Sequence, residues 1–201
     1  PGGFIGVDVF FVISGFLMTQ IIVEGLDQQR FRYADFIYRR AKRIIPAYLF
    51  VLATLLTAGL FLLPPLELSI LGKYAAAAGL FISNYAFAKK VDYFSQSETL
   101  WLVHTWSLAV EWQFYLLYPF LLKALQRWRG TRKYTLTLLA LGIASYIFCI
   151  MQTAANPADA FFGLPGRIWM FIAGAMAYLH PPRIPSPRYT LLGGFTLILC
   201  S

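Results

Sequence analysis

Long apolar runs restrict the fold of this chain more than any other feature. Five of them are close to the roughly 20 residues that an α-helix needs to cross the hydrocarbon core of a bilayer, a sixth is shorter, and a truncated seventh begins at Tyr189. The six runs are Phe4–Glu24, Ile45–Leu63, Ile70–Ala88, Thr105–Lys123, Thr135–Met151 and Arg167–His180. The sequence therefore predicts an all-α fold, a polytopic bundle of transmembrane helices.

The composition also indicates a membrane protein. Of the 201 residues, 59% are hydrophobic and 13% are charged, whereas soluble domains are about half apolar and a quarter charged. The net charge is +8, but the basic residues cluster in short loops. We interpret this charge as a topology signal and as contact with membrane lipid, not as nucleic-acid binding. Neither cysteine, Cys149 nor Cys200, belongs to a Cys/His cluster that would indicate a metal site.

Two basic groups carry the signal for orientation. The first group is Arg30, Arg32, Arg39, Arg40, Lys42 and Arg43, and the second is Arg127, Arg129, Arg132 and Lys133. The positive-inside rule places both predicted loops in the cytoplasm. Three predicted spans lie between them, however, and an odd number would place them on opposite sides. Either one of these spans is broken or re-entrant, or the second loop is an exception to the rule.

Glu111 lies inside the fourth apolar run. A carboxylate in hydrocarbon costs roughly 2.5 kcal/mol or more, so it needs a partner or a wet cavity. On a helix Ser107, Glu111 and Tyr115 share one face, and His104 extends that face if the helix begins early. This stripe could relay protons in a buried site or hydrogen-bond to neighbouring helices. We favour a functional role for Glu111, with Arg167 as a candidate ion-pair partner.

Polar residues in the first two runs are further candidates. Asp8 could interact with the dipole of its helix or orient a catalytic group on a neighbouring helix. Ser14 has no local base and is interpreted as a hydrogen-bond donor between helices. Arg40 and Arg43 share a helical face at the predicted membrane edge, where two guanidinium groups could bind phosphate. A topology signal or lipid headgroups would explain the two arginines as well.

Three stretches in this order resemble the acyltransferase 3 family, bacterial membrane enzymes that O-acylate, usually O-acetylate, cell-surface carbohydrates. They are Gly2–Phe16, Arg39–Ala47 and His104–Pro119, with weaker support from Ser83-Asn84-Tyr85 and Asp92-Tyr93-Phe94. The resemblance implies a domain of about ten transmembrane helices in the inner membrane, of which residues 1–201 form a part. It also implies acyl-CoA as the cytoplasmic donor, with acetyl-CoA expected, and a carbohydrate acceptor on the other side.

The resemblance also suggests roles for individual residues. Ser107 and Glu111 match a Ser-x-x-x-Glu motif of the family, and Asp8 falls in its Val-Asp-Val-Phe-Phe run. The paired-arginine motif that is proposed to meet the donor matches Arg40 and Arg43. The candidate catalytic residues are therefore Asp8, His104, Ser107 and Glu111, and the candidate donor-binding residues are Arg39, Arg40 and Arg43. No metal is expected.

Two departures from the family pattern accompany this interpretation. The catalytic His of the family is expected on a helix that precedes Pro1, and Met170 stands where the family commonly has Glu. We therefore expect residues 1–201 alone to be inactive, and the resemblance leaves open an extracytoplasmic domain after Ser201 in the full protein. The alternatives are a transporter or flippase of a glycan or lipid intermediate, because intramembrane ionisable residues also mark transport paths, and a scaffold that holds anionic lipid.

Overall fold

The computed structural model describes residues 3–89 and 101–181, with side chains from Ile5 onward. The described residues form helices and no strand, as the apolar runs predict. The helices are α1 (Gly3–Asp27), α2 (Tyr33–Leu62), α3 (Pro65–Gly79), α4 (Ser83–Ala88), α5 (Thr105–Leu125), α6 (Arg132–Ala155), α7 (Pro157–Phe162) and α8 (Leu164–Leu179). A short 3₁₀ turn follows α5.

Four segments of the described residues are long and apolar enough to cross a membrane, by length and composition. They are Ile5–Asp27, Tyr33–Leu62, Arg132–Ala155 and Pro157–Leu179, the last of which combines α7 and α8. The protein is therefore a multi-pass membrane protein. Helix α5 is not one of these four, although it contributes many buried side chains to the core.

Helices α1 and α8 form the closest contact of the bundle. They run parallel, and each contributes a glycine to the crossing point. A Cβ atom at Gly15 would collide with the backbone oxygen of Phe171, and one at Gly174 would collide with the backbone oxygen of Val12. Small residues allow membrane helices to approach this closely. Helix α5 packs against both helices: its Trp106 meets Phe11 of α1 edge-on, and its Phe114 stacks on Phe171 of α8 with ring centroids 3.9 Å apart.

The predicted third span, Ile70–Ala88, is wrong as a single helix. Helix α3 ends at Gly79, and α4 begins at Ser83. Between them Phe81 has a φ angle of +55°, a conformation that interrupts a right-handed helix and that is uncommon for a bulky residue. The side chain of Phe81 is held there between Tyr48 and Trp112, with centroid distances of 5.2 and 4.9 Å. One of the three middle spans is therefore broken, which is one of the alternatives that the charge pattern left open.

The second basic loop lies beside the end of α1. The Nη2 atom of Arg129 is 2.7 Å from Oδ2 of Asp27, and its Nη1 donates to the backbone oxygen of Val23 at 3.3 Å. Arg30 and Arg32 lie three and five residues after Asp27, so basic residues of both groups lie at one end of the bundle. The positive-inside rule assigns this end to the cytoplasm.

The predicted first basic loop is partly wrong. Helix α2 begins at Tyr33, well before the predicted start at Ile45, so Arg39–Arg43 are helical. The predicted start of α2 is too late because the basic residues lower the hydropathy of this segment. Arginine, lysine and alanine are nevertheless good helix formers, so the helix extends through it. Four features of the sequence lie outside the described residues. They are the predicted span from Tyr189, Cys200, the beginning of the first motif and Asp92-Tyr93-Phe94.

Candidate active site

Glu111 is buried and is held by two hydroxyl groups. Its Oε1 atom accepts a hydrogen bond of 2.8 Å from Oγ of Ser14 and another from the hydroxyl of Tyr115. The two hydroxyl oxygens are themselves 3.1 Å apart. All three side chains are at most 5% exposed. The carboxylate therefore has the polar partners that its position in an apolar bundle requires.

The local sequence explains how this cluster forms. Glu111 and Tyr115 are four residues apart on α5 and therefore lie one above the other on the same face. Ser14 reaches them from α1, which runs parallel to α5. Contacts on either side of the cluster, between Phe11 and Trp106 and between Thr19 and Tyr118, hold the two helices in this register.

A cavity of about 280 Å³ opens between α1, α2 and α5 at this cluster. Ser14, Glu111 and Tyr115 line its polar side, together with Arg40 and Arg43 of α2. The remaining wall is apolar and includes Phe10, Ile13, Leu17, Met18, Ile44 and Leu108. The cavity therefore combines an acidic group, two hydroxyl groups and two guanidinium groups with an apolar wall.

Arg40 is the more enclosed of the two arginines. It is half-buried, its guanidinium lies 5.8 Å from the centre of the Phe36 ring, and its buried Nε has no hydrogen-bond partner among the described residues. Arg43 is exposed. Within the described part of the chain neither arginine forms an ion pair with Glu111. Both therefore keep donors for an anionic ligand, since a guanidinium matches phosphate oxygens well.

Several predicted site residues lie elsewhere. The hydroxyl of Ser107 donates to the backbone oxygen of His104 at 3.1 Å, and neither residue lines the cavity. His104 is exposed, as is Arg39, which does not line the cavity either. The predicted stripe on α5 is therefore brought together only at Glu111 and Tyr115. Ser14 takes the place next to the carboxylate that spacing within α5 had given to Ser107.

Arg167 pairs with Asp8, so the expected pairing of Arg167 with Glu111 is wrong. Its Nη1 atom lies 2.9 Å from Oδ1 of Asp8, and its Nε donates to the backbone oxygen of Phe161 at 2.9 Å. The guanidinium also faces the rings of Phe161 and Trp106. The pair forms because both residues lie near the beginnings of α1 and α8, which are parallel. Ser14, which was interpreted as a donor between helices, does form such a bond.

The family model of the acyltransferase 3 family, described as an acyltransferase domain, matches residues 2–201. The chain belongs to the acyltransferase 3 family. Proteins with similar sequences include the O-acetyltransferase OatA of Staphylococcus aureus strains NCTC 8325 and COL, each 36% identical over 186 residues. A second Staphylococcus aureus protein, SACOL0978 of strain COL, is 34% identical over 191 residues. Its name describes it as an O-acetyltransferase only provisionally.

Each of these alignments covers 90% of this chain but only 31% of the relative. The chain thus spans about a third of the length of the curated relatives that it matches. No solved structure matches the chain. Membership in the acyltransferase 3 family agrees with the resemblance carried by the motifs around Asp8, Arg40 and Glu111.

Proposed function

We propose that the full-length protein is a membrane O-acyltransferase of the inner membrane. It would transfer an acyl group, with acetyl expected, from acyl-CoA to a hydroxyl group of a cell-surface or exported carbohydrate. Family membership and the names of the relatives support the reaction class. The observation that carries the proposal is the buried Glu111 in the wall of a cavity that Arg40 and Arg43 also line.

The two arginines are proposed to hold the phosphates of the donor. Coenzyme A carries several phosphate groups, and guanidinium groups bind phosphate through pairs of parallel hydrogen bonds. The unpartnered Nε of Arg40 supports this role, because a buried donor without a partner is costly unless a ligand satisfies it. The apolar wall of the cavity suits the acyl group and the uncharged part of the donor.

In the proposed reaction the acceptor hydroxyl gives its proton to a base while its oxygen bonds to the thioester carbonyl carbon. The carbon–sulfur bond breaks, and the thiolate of coenzyme A leaves and takes up a proton. Glu111 is assigned an orienting or charge-balancing role in this step and not that of the attacking group. The two hydroxyl groups that hold its Oε1 atom support this role, because they fix the direction of the carboxylate.

The test uses the full-length protein in its membrane. We expect Glu111→Gln, which keeps the size of the side chain, and Arg43→Ala to lower transfer of labelled acetyl groups to the surface glycan. Lys42→Ala is the matched control, because Lys42 is the exposed neighbour of Arg43 and does not line the cavity. Normal acylation by both site variants at normal expression would show that the role assignment is wrong.

A second measurement separates the enzyme from a transporter. Proteoliposomes that contain the full-length protein are supplied with a glycan or lipid intermediate in the absence of acyl-CoA. Transport of this compound under these conditions would favour a flippase. Transfer that strictly requires acyl-CoA and that is lost in Glu111→Gln would favour the acyltransferase.

A further inference from the structure

A second cavity lies at the basic end of the bundle, between the beginning of α6 and the end of α8. Its volume is about 390 Å³. It shares no lining residue with the cavity at Glu111. The polar side chains that line it are Arg129, Thr131, Arg132, Tyr134, Thr135 and His180. We call it the α6–α8 pocket.

The donors of this pocket come from both helices. Oγ1 of Thr135 and Nε2 of His180 are 3.1 Å apart, so the hydroxyl and the imidazole form one polar wall. Arg129 is held in place by Asp27, which partly neutralises it. Arg132 is exposed and forms no ion pair with any carboxylate of the described residues. The pocket therefore has an excess of positive charge with one guanidinium left for a ligand.

An apolar strip continues from the pocket along α6. Leu136, Leu139 and Ile143 follow Arg132 at helical spacing, and they are 49%, 44% and 51% exposed. At 1.5 Å per residue the strip from Arg132 to Ile143 is about 16 Å long. This is about half of the roughly 30 Å thickness of the hydrocarbon core, the depth that one leaflet occupies.

We propose that the α6–α8 pocket binds the phosphate headgroup of an anionic phospholipid, whose acyl chains lie along this strip. The guanidinium of Arg132, the Thr135 hydroxyl and the His180 imidazole supply donors for the phosphodiester oxygens. Basic pockets between transmembrane helices on the cytoplasmic side suit such headgroups. The strip begins one turn from Arg132, so the acyl chains of a lipid held in the pocket would have an apolar surface to pack on, and we commit to a lipid on this ground together with the charge of the pocket. This proposal does not depend on the acyl-transfer reaction.

The test measures binding of fluorescent phosphatidylglycerol to the full-length protein in phosphatidylcholine nanodiscs. Arg132→Ala is expected to weaken binding about tenfold or more, because it removes the charge-assisted hydrogen bonds to the phosphate that only a residue lining the pocket can form. Lys133→Ala removes the same charge at the next residue, which is exposed but does not line the pocket. It should change binding by less than about twofold. Because Arg132 is exposed, alanine there leaves the fold intact.

Other outcomes would overturn the proposal. An equal loss in Arg132→Ala and Lys133→Ala would mean that surface charge alone attracts the lipid. An unchanged affinity in Arg132→Ala would mean that the pocket is not the binding site. Displacement of the lipid by free coenzyme A or inorganic phosphate in the wild type, but not in Arg132→Ala, would identify a soluble phosphate ligand. Retention of wild-type affinity for phosphatidylglycerol by His180→Ala would also count against the pocket.

Discussion

Tyr115→Phe tests whether the position of the Glu111 carboxylate matters for activity. The substitution removes one hydroxyl group and keeps the ring, which packs edge-on against Phe36 with centroids 6.4 Å apart. The lost interaction is the hydrogen bond to Oε1 of Glu111. Hydrogen bonds to charged groups contribute about 1.5–3 kcal/mol. If all of this energy stabilises the transition state, its loss lowers kcat by about 10- to 100-fold.

Ser14→Ala removes the other hydroxyl from the same oxygen atom. Because Ser14 and Tyr115 share one acceptor and lie 3.1 Å apart, their effects should couple. Each single variant keeps one hydroxyl to orient the carboxylate, whereas the double variant keeps neither. We expect the double variant to lose more activity than the product of the two single losses predicts. The assay is acetyl transfer by the full-length protein, with kcat and KM determined separately for acetyl-CoA.

The chain offers a matched control one turn further along the same two helices. The hydroxyl groups of Thr19 and Tyr118 are 2.6 Å apart and buried, and neither residue lines the cavity. Tyr118→Phe should cost about 1 kcal/mol of stability, as for a neutral hydrogen bond, and change kcat by less than about twofold. Equal losses of activity in Tyr115→Phe and Tyr118→Phe would show that the cluster only joins the helices. An unchanged kcat in a folded Tyr115→Phe would refute the positioning role.

Two further predictions concern stability and are read from thermal unfolding of the purified protein in detergent. Gly174→Ala should destabilise the protein by about 1–3 kcal/mol, because the added methyl group meets backbone atoms of α1. Gly72→Ala is the control: its methyl group enters open space, so the substitution should be neutral or slightly stabilising. An equal effect of both would argue against the close α1–α8 contact. Asp8→Asn should cost about 1–2 kcal/mol, because it removes the charge that pairs with the buried guanidinium of Arg167, while the 41% exposure of Asp8 screens the pair. Asp35→Asn breaks an exposed pair and should cost less than about 1 kcal/mol.

The sequence predicts the helices best where hydropathy alone decides. The run from Phe4 matches α1 closely, and the run from Thr105 to Lys123 matches α5 within two residues. It fails between Ile70 and Ala88 because the residues on both sides of the break are apolar. The break depends on the conformation of Phe81. That conformation is stabilised because the Phe81 ring stacks between the rings of Tyr48 and Trp112, which are far from it in the sequence. Such a tertiary contact leaves no signal in the hydropathy of the segment.

The sequence also predicts the candidate site only in part: it predicts contacts within one helix but not contacts between helices. Helical spacing within α5 correctly brings Tyr115 to the face of Glu111. Spacing cannot show which residue of another helix completes the cluster, and Ser14 is known only from the packing of α1 on α5. The pair of Asp8 and Arg167 spans 159 residues and depends on the parallel arrangement of α1 and α8. The one small neighbour of Ser14, Gly15, signals a close helix contact, but that contact is with α8 and does not identify Ser14 as the partner of Glu111.

The enclosure of Arg40 distinguishes between the two explanations of the basic group on α2. Phe36 packs against Tyr115, and the antiparallel register puts Arg40, one turn further along α2, level with Glu111. Ser14, the partner of Glu111, precedes Asp27 at the basic end by 13 residues of α1, a distance of about 20 Å. Along α2 itself Arg40 lies eight residues beyond Arg32, about 12 Å from the basic end. Its contact with the Phe36 ring and its buried, unpartnered Nε, more than its depth, argue against a surface headgroup as its ligand. The position of Arg40 therefore favours the explanation that it binds a ligand inside the bundle. Arg30 and Arg32 suffice for the topology signal.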